Sequence, residues 1–205
     1  MDINEAKKIF EEIAEKNKDR HTNSLLGIEG EKAHGYRVLS WVEKLEPEAP
    51  TELRIAGLFH DIDRIANPEH ATGSKFDRTS QEYLDHKKAH AKRSADVTKS
   101  ALLGAGAEPS FADRVSFLIS HHDDTESEVM ACRDNDLDVL VAADSLSYFD
   151  SLAENTLKNF GEKQLRGKVQ FMLSKMPVRF RKILKDMRLE NPLINQIKEE
   201  TLANL

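Results

Sequence analysis

A histidine and an aspartate stand side by side, His60 and Asp61, at the end of an apolar stretch with helical spacing, Leu53, Ala56 and Phe59. Neither belongs on a buried face without a partner, because an unpaired ionisable group in an apolar interior is strongly unfavourable. The same conflict recurs along the chain. Leu137, Leu140, Val141 and Asp144 fall at i, i+3, i+4 and i+7, so the carboxylate takes the next core-facing slot of its own helix. Val115, Leu118, Ile119 and His122 repeat that spacing, which puts His122 rather than its neighbour His121 on the buried face. His34 precedes Val38, Trp41 and Leu45 on a third stripe. Such a chain must fold so that these faces meet, and a metal ion is an economical partner for imidazoles and carboxylates that converge.

The remainder also reads as helix. Ile3, Ala6, Ile9, Phe10 and Ile13 predict a first helix that ends before the polar break from Asn17 to Asn23. A second is predicted from about Glu29 to Leu45, and Pro50 and Thr51 mark the start of a third, which carries His60 and Asp61. The least apolar segment, Asn67 to about Ser80, contains Pro68, Gly73, Lys75 and Arg78 and reads as a long loop of the kind that often carries function. A fourth helix runs from about Gln81 to Leu103 and stops at Gly104-Ala105-Gly106. A fifth covers Pro109 to His122, an acidic polar linker follows, and a sixth runs from Asp136 to about Phe160, closed by Gly161. Two or three more, interrupted by Pro177 and Pro192, end the chain. No stretch alternates with period two, so the expected fold class is all-α. We expect a single-domain helical bundle: an N-terminal helix in residues 1–27, a core in residues 28–150, and C-terminal helices in residues 151–205 that belong to the same domain.

A chain of 205 residues can bury a substantial core. Its single cysteine, Cys132, excludes an intrachain disulfide and a Cys-rich zinc site. No window approaches the roughly 18 to 20 apolar residues of a membrane span, and Met1-Asp2-Ile3-Asn4-Glu5 lacks a basic segment followed by an apolar run. The expected location is cytoplasmic, with no membrane partner. A formal net charge of −6 gives no general attraction for nucleic acid, so no nucleic-acid polymer is expected and an anionic substrate must be held by local charges. A homodimer is left open.

The segments His34-Gly35-Tyr36-Arg37-Val38, Gly57-Leu58-Phe59-His60-Asp61-Ile62-Asp63-Arg64 and Ala143-Asp144-Ser145-Leu146 together resemble the ordered H…HD…D pattern of the HD-domain metal-dependent phosphohydrolases. The resemblance runs from about Ile28 to Phe149 and implies an all-α domain in which His34, His60, Asp61 and Asp144 hold a divalent metal. It also implies that His90, in His90-Ala91-x-x-Ser94-Ala95, and His122 extend the set to six residues around two metals bridged by Asp61. His121 stands as the alternative to His122. His86, at i and i+4 with His90, is a further candidate ligand. Two imidazoles and two carboxylates suit Mn, Fe, Co, Ni or Mg better than a closed structural zinc site, with one or two ions per chain.

The implied reaction is attack of a metal-activated water on the phosphorus of a small phosphorylated metabolite, nucleotides foremost. Asp61 and Arg64 are the expected catalytic residues, and Arg64, Lys75, Arg78 and Lys87 the expected phosphate-binding ones. Arg37, one turn from His34, is read as the partner of a carboxylate behind the metal, and Asp123 as a residue that orients an imidazole. Two other readings compete: a di-iron oxygenase on the same ligands, and a non-catalytic metal-binding sensing or scaffold module. The Gly-Tyr-Pro run of cyclic-di-nucleotide phosphodiesterases is absent after His122, where Asp123-Asp124-Thr125-Glu126 stands. His21 and His70, in polar surroundings, are read as histidines without a site role.

Overall fold

The computed structural model describes residues 1–21, 26–70 and 76–205. The amphipathic stripes fold as helices, and no strand occurs among the described residues. Helix α1, Ile3–Asn17, starts at Asp2, whose carboxylate accepts from the backbone of Asn4 and Glu5 while Glu5 reaches back to the Asp2 N–H. It buries Ala6, Phe10 and Ala14.

Helices α2, Gly27–Leu45, and α3, Thr51–Phe59, pack unusually close. A Cβ added at Gly35 would lie 2.6 Å from the Leu58 carbonyl oxygen, and one at Gly57 would lie 3.0 Å from Val42 Cγ2. Only a residue without a side chain allows the first of these approaches. Helix α3 stops at Phe59, and a short α4, Ile62–Ala66, begins directly after Asp61. The His60-Asp61 pair therefore sits in a break between two helices.

Helix α5, Gln81–Gly104, is capped by the Ser80 hydroxyl, and α6, Pro109–His121, opens with a proline in its first turn. The expected acidic linker after it contains a helix of its own, α7, Glu126–Cys132. Its start is a reciprocal cap between Thr125 and Glu128. The single sixth helix expected up to Phe160 is also corrected. Helix α8, Asn135–Ser147, passes through a π-turn at Tyr148–Leu152 into α9, Ala153–Lys175. Gly161 does interrupt helical geometry, at φ 76° and ψ 178°, but α9 resumes beyond it. Helices α10, Val178–Asp186, and α11, Pro192–Ala203, follow the two prolines. In the expected loop a 3₁₀ turn covers Pro68–His70. Gly73 and Lys75 lie outside the described residues.

Two apolar clusters hold these helices. One unites Phe10, Val38, Leu53, Phe59, Leu102, Leu118 and Leu140 from α1, α2, α3, α5, α6 and α8. The other unites Tyr83, Leu146, Phe149, Leu165, Leu173, Leu184 and Ile197, largely from the C-terminal helices. Each fully buried Leu or Phe contributes about 1.5–3 kcal/mol. Trp41, Leu45 and Phe180 pack against both clusters. Among the described residues no helix is long and apolar enough to cross a membrane.

Candidate metal centre

Helix α2 supplies His34, the α3–α4 break supplies His60 and Asp61, and α8 supplies Asp144. Their side chains converge. The Nε2 atoms of His34 and His60 are 3.1 Å apart, and each lies 3.5 Å from Asp144 Oδ1. Asp61 Oδ2 stands 3.6 Å from His34 Nε2 and 3.7 Å from His60 Nε2. Ligand atoms about 2.1 Å from a common ion stand about 3.0 Å apart at right angles and about 3.4 Å apart at the tetrahedral angle. His34, His60 and Asp144 therefore have the spacing of a coordination shell, and Asp61 Oδ2 stands at similar range from both imidazoles.

Hydrogen bonds fix which ring nitrogens point inward. His60 Nδ1 lies 3.0 Å from the Gly57 carbonyl and His122 Nδ1 lies 2.7 Å from the Ile119 carbonyl. A carbonyl only accepts, so each Nδ1 carries a proton and the Nε2 of the neutral ring is a lone pair. His90 Nδ1 is held in the same way by Asp63 Oδ2, at 3.2 Å. His122 Nε2 is buried without a hydrogen bond. His34 Nδ1 faces the Ser147 hydroxyl at 3.1 Å, which donates or accepts, so His34 Nε2 is free either to donate to His60 or to present a lone pair. Two carboxylates face these imidazole nitrogens, and the residues present fit a divalent metal.

Asp61 faces two groups with its two oxygens. Oδ2 meets His34, His60 and the Arg64 Nε, the last at 3.0 Å. Oδ1 meets His90 Nε2 at 2.6 Å and His122 Nε2 at 3.6 Å. Behind His90, Asp63 collects Arg93 Nε at 2.9 Å, Asn67 Nδ2 at 3.0 Å and His70 Nδ1 at 3.2 Å. On the other flank Lys175 Nζ lies 2.7 Å from both Asp123 Oδ1 and Asp144 Oδ2 and donates to the His122 carbonyl at 3.1 Å.

These contacts set the charges. Burial opposes ionisation of Asp61, yet Arg64, then His60 and His90, hold its carboxyl well below the usual carboxylate range. Burial likewise opposes Asp144, which Lys175 and His34 hold well below it. His34 is pushed down, chiefly by burial. Burial also disfavours charge on His122, but Asp123 and Asp61 outweigh it and push that imidazole up to about 9, so a metal taking its Nε2 must displace a proton.

Of the expected residues, the structure gathers His34, His60, Asp61, Asp144, His90 and His122 in one cluster. His121 is outside it, half exposed, with Nδ1 2.6 Å from Asp124 Oδ2. His86 is not among the clustered donors. It lines the adjoining cavity beside Phe76 and is pushed down to about 4, first by burial and then by Lys87. Arg64, Arg78 and Lys87 line the same cavity, with Lys87 ion-paired to Asp123 Oδ2 at 2.5 Å. Asp123 does approach an imidazole, standing 3.2 Å from His122 Nε2. Arg37 is a correction: it pairs with Asp150 at 3.7 Å, both part-exposed, and touches no carboxylate of the cluster. His70 is another, since it bonds Asp63 and lines the cavity, whereas His21 bonds the Ile65 carbonyl.

Sequence reasoning missed Asp63, Glu31, Lys168 and Lys175. Asp63 lies in the quoted motif, two residues after Asp61, and Glu31 lies one turn before His34. The two lysines carried no signal, because their place depends on how α9 packs.

The fold and the cluster define an all-helical domain with a buried His/Asp constellation suited to a metal ion. The chain belongs to the DUF4202 family, a domain of unknown function, which it matches over residues 4–197. No curated protein and no solved structure matches it.

Proposed function

We propose that the protein is a metal-dependent phosphohydrolase of the HD-domain type, acting on a small phosphorylated compound. The observation that carries this reading is the convergence of His34 and His60 Nε2 with Asp61 and Asp144, of which His34, Asp61 and Asp144 line a cavity that also holds Arg64, Arg78 and Lys87. A divalent cation in this cluster would lower the pKa of a water and shield the charge of a phosphoryl oxygen. Arg64 anchors Asp61 through Nε, and its terminal nitrogens make no other ion pair among the described residues, which leaves them for a phosphate oxygen. Asp63 fixes the orientation of His90, and Lys175 balances Asp123 and Asp144. The cavity measures about 160 Å³. That is below the roughly 300–1,000 Å³ that encloses drug-sized ligands, and it favours a small ester.

The test is metal analysis of protein purified without chelator, followed by phosphate release from small phosphate esters and nucleotides with Mn, Co, Ni and Mg. His60→Ala and Asp61→Ala are expected to keep their helical content while losing both metal and phosphate release. A coloured, iron-dependent protein without phosphate release would support the oxygenase reading instead. Tightly bound metal without turnover across the panel would support a sensing or scaffold module.

A further inference from the structure

The cavity beside the metal cluster is also lined by Arg78, Tyr83, Tyr148, Phe160 and Lys168. Lys168, on α9, is only 7 % exposed. Among the described residues its ammonium has neither an ion-pair nor a hydrogen-bond partner. It sits over aromatic rings, 4.8 Å from Phe171, 5.7 Å from Tyr148 and 6.0 Å from Tyr83. Arg78 has no carboxylate partner among the described residues either. Its Nε donates to Gln164 Oε1 at 3.1 Å, and its guanidinium lies 5.5 Å from the Phe160 ring and 6.0 Å from that of Tyr83.

Three features place the two cations close together, two of them on α9. Gly167 packs so closely on Arg78 that a Cβ there would lie 3.0 Å from Arg78 Cβ. Gln164, one turn before Lys168, holds the guanidinium. Both cations lie within reach of the Tyr83 ring. The other cavity cations differ in kind, since Arg64 is paired with Asp61 and Lys87 with Asp123.

Holding an unpaired cation away from water is costly, and cation–π contacts recover only part of that cost. Burial, and after it the positive charge of Lys87, pushes the Lys168 ammonium well below its ordinary value, so the position favours an arriving negative charge. We propose that Lys168 and Arg78 form an anion subsite for a second acidic group of the substrate, which is then a small phosphate ester bearing another carboxylate or phosphate. This assignment rests on the phosphohydrolase reading for the other end of the same molecule.

The test compares two ligands that cannot be hydrolysed, phosphonoacetate, which carries a carboxylate beside its phosphonate, and methylphosphonate, which does not. Calorimetry on the metal-loaded protein is expected to show phosphonoacetate binding about tenfold more tightly or better. Lys168→Met, and separately the more exposed Arg78→Gln, should each remove about that factor for phosphonoacetate, and Lys168→Met should leave methylphosphonate within about twofold. Metal content should stay at the wild-type level in both variants. Equal weakening of both ligands, or a preference unchanged by the substitutions, would overturn the proposal. Lys168-dependent binding of inorganic phosphate alongside methylphosphonate would assign this subsite to a free anion and overturn it as well. The same pattern is expected in kcat/KM for 3-phosphoglycerate against glycerol 3-phosphate. If no ester is hydrolysed by any metal form, the phosphohydrolase reading falls, and the calorimetry still decides the subsite.

Discussion

The Nε2 atoms of His34 and His60 meet at 3.1 Å because the backbones that carry them are already close. Gly35 follows His34 directly and lies against the Leu58 carbonyl, while Gly57 supplies the carbonyl that orients His60 and lies against Val42. The imidazole pair is thus built into the packing of α2 on α3.

Gly35→Ala puts a methyl group 2.6 Å from a backbone oxygen, so the helices must separate. We expect a loss of about 1–3 kcal/mol in unfolding free energy, from urea denaturation of chelated protein. Metal affinity in a competition titration should fall by about tenfold or more. Gly57→Ala should be milder, because the nearest obstacle is a side-chain methyl of Val42 rather than backbone. Wild-type metal affinity in Gly35→Ala would contradict this account.

His90 and His122 face the oxygen of Asp61 turned away from His34. His90→Ala and His122→Ala should each lower metal content by about one equivalent per chain and leave the ion at His34, His60, Asp61 and Asp144 in place. Elemental analysis checks the stoichiometry, and anomalous scattering locates the retained ion.

Lys175 is a buried counter-charge to both Asp144 and Asp123, the latter shared with Lys87. Lys175→Met leaves two buried carboxylates short of a partner, and removing one member of such a set costs about 3–5 kcal/mol. The loss should be largest with chelator present and smaller with divalent metal, because an ion at Asp144 takes over part of the neutralisation. Thermal unfolding with and without metal measures both. An equal loss in the two conditions would show that the lysine only packs.

Glu31 lines the cavity with one carboxylate oxygen lacking a hydrogen bond, and burial raises its pKa from 4.5 to about 6. The folded protein holds this proton more tightly than the unfolded chain. Its favourable contribution is therefore complete below about pH 4.5 and lost as pH rises through about 6. A shift of that size corresponds to about 2 kcal/mol. Glu31→Gln should be more stable than wild type by about that amount at pH 7.5, with the difference vanishing near pH 4.5. Urea unfolding of chelated protein at the two pH values tests the sign.

What the sequence disclosed followed from local rules. Asp144 and His122 each occupy the fourth slot of an apolar i, i+3, i+4, i+7 row, and both are buried where that row points. Lys168 and Lys175 gave no such sign, since a lysine between apolar residues of an amphipathic helix ordinarily reaches out to water. Only the docking of α9 makes them internal. Helix α7 was hidden by its acidic composition, although Thr125 and Glu128 carry the spacing of a reciprocal cap. Arg37 lies beside His34 on α2 as the spacing implies, but its long side chain reaches out to Asp150 rather than in to a cluster carboxylate.

Asp61 offers one oxygen to the group around His34 and His60 and the other to His90 and His122. A single negative charge is thereby shared between two places where a cation can rest. Once one place is taken, less of that charge remains for the other, and two like charges so near repel. On the two-ion reading, occupancy is expected to climb in two unequal steps, with the half-filled protein persisting across the interval of metal concentration that separates them.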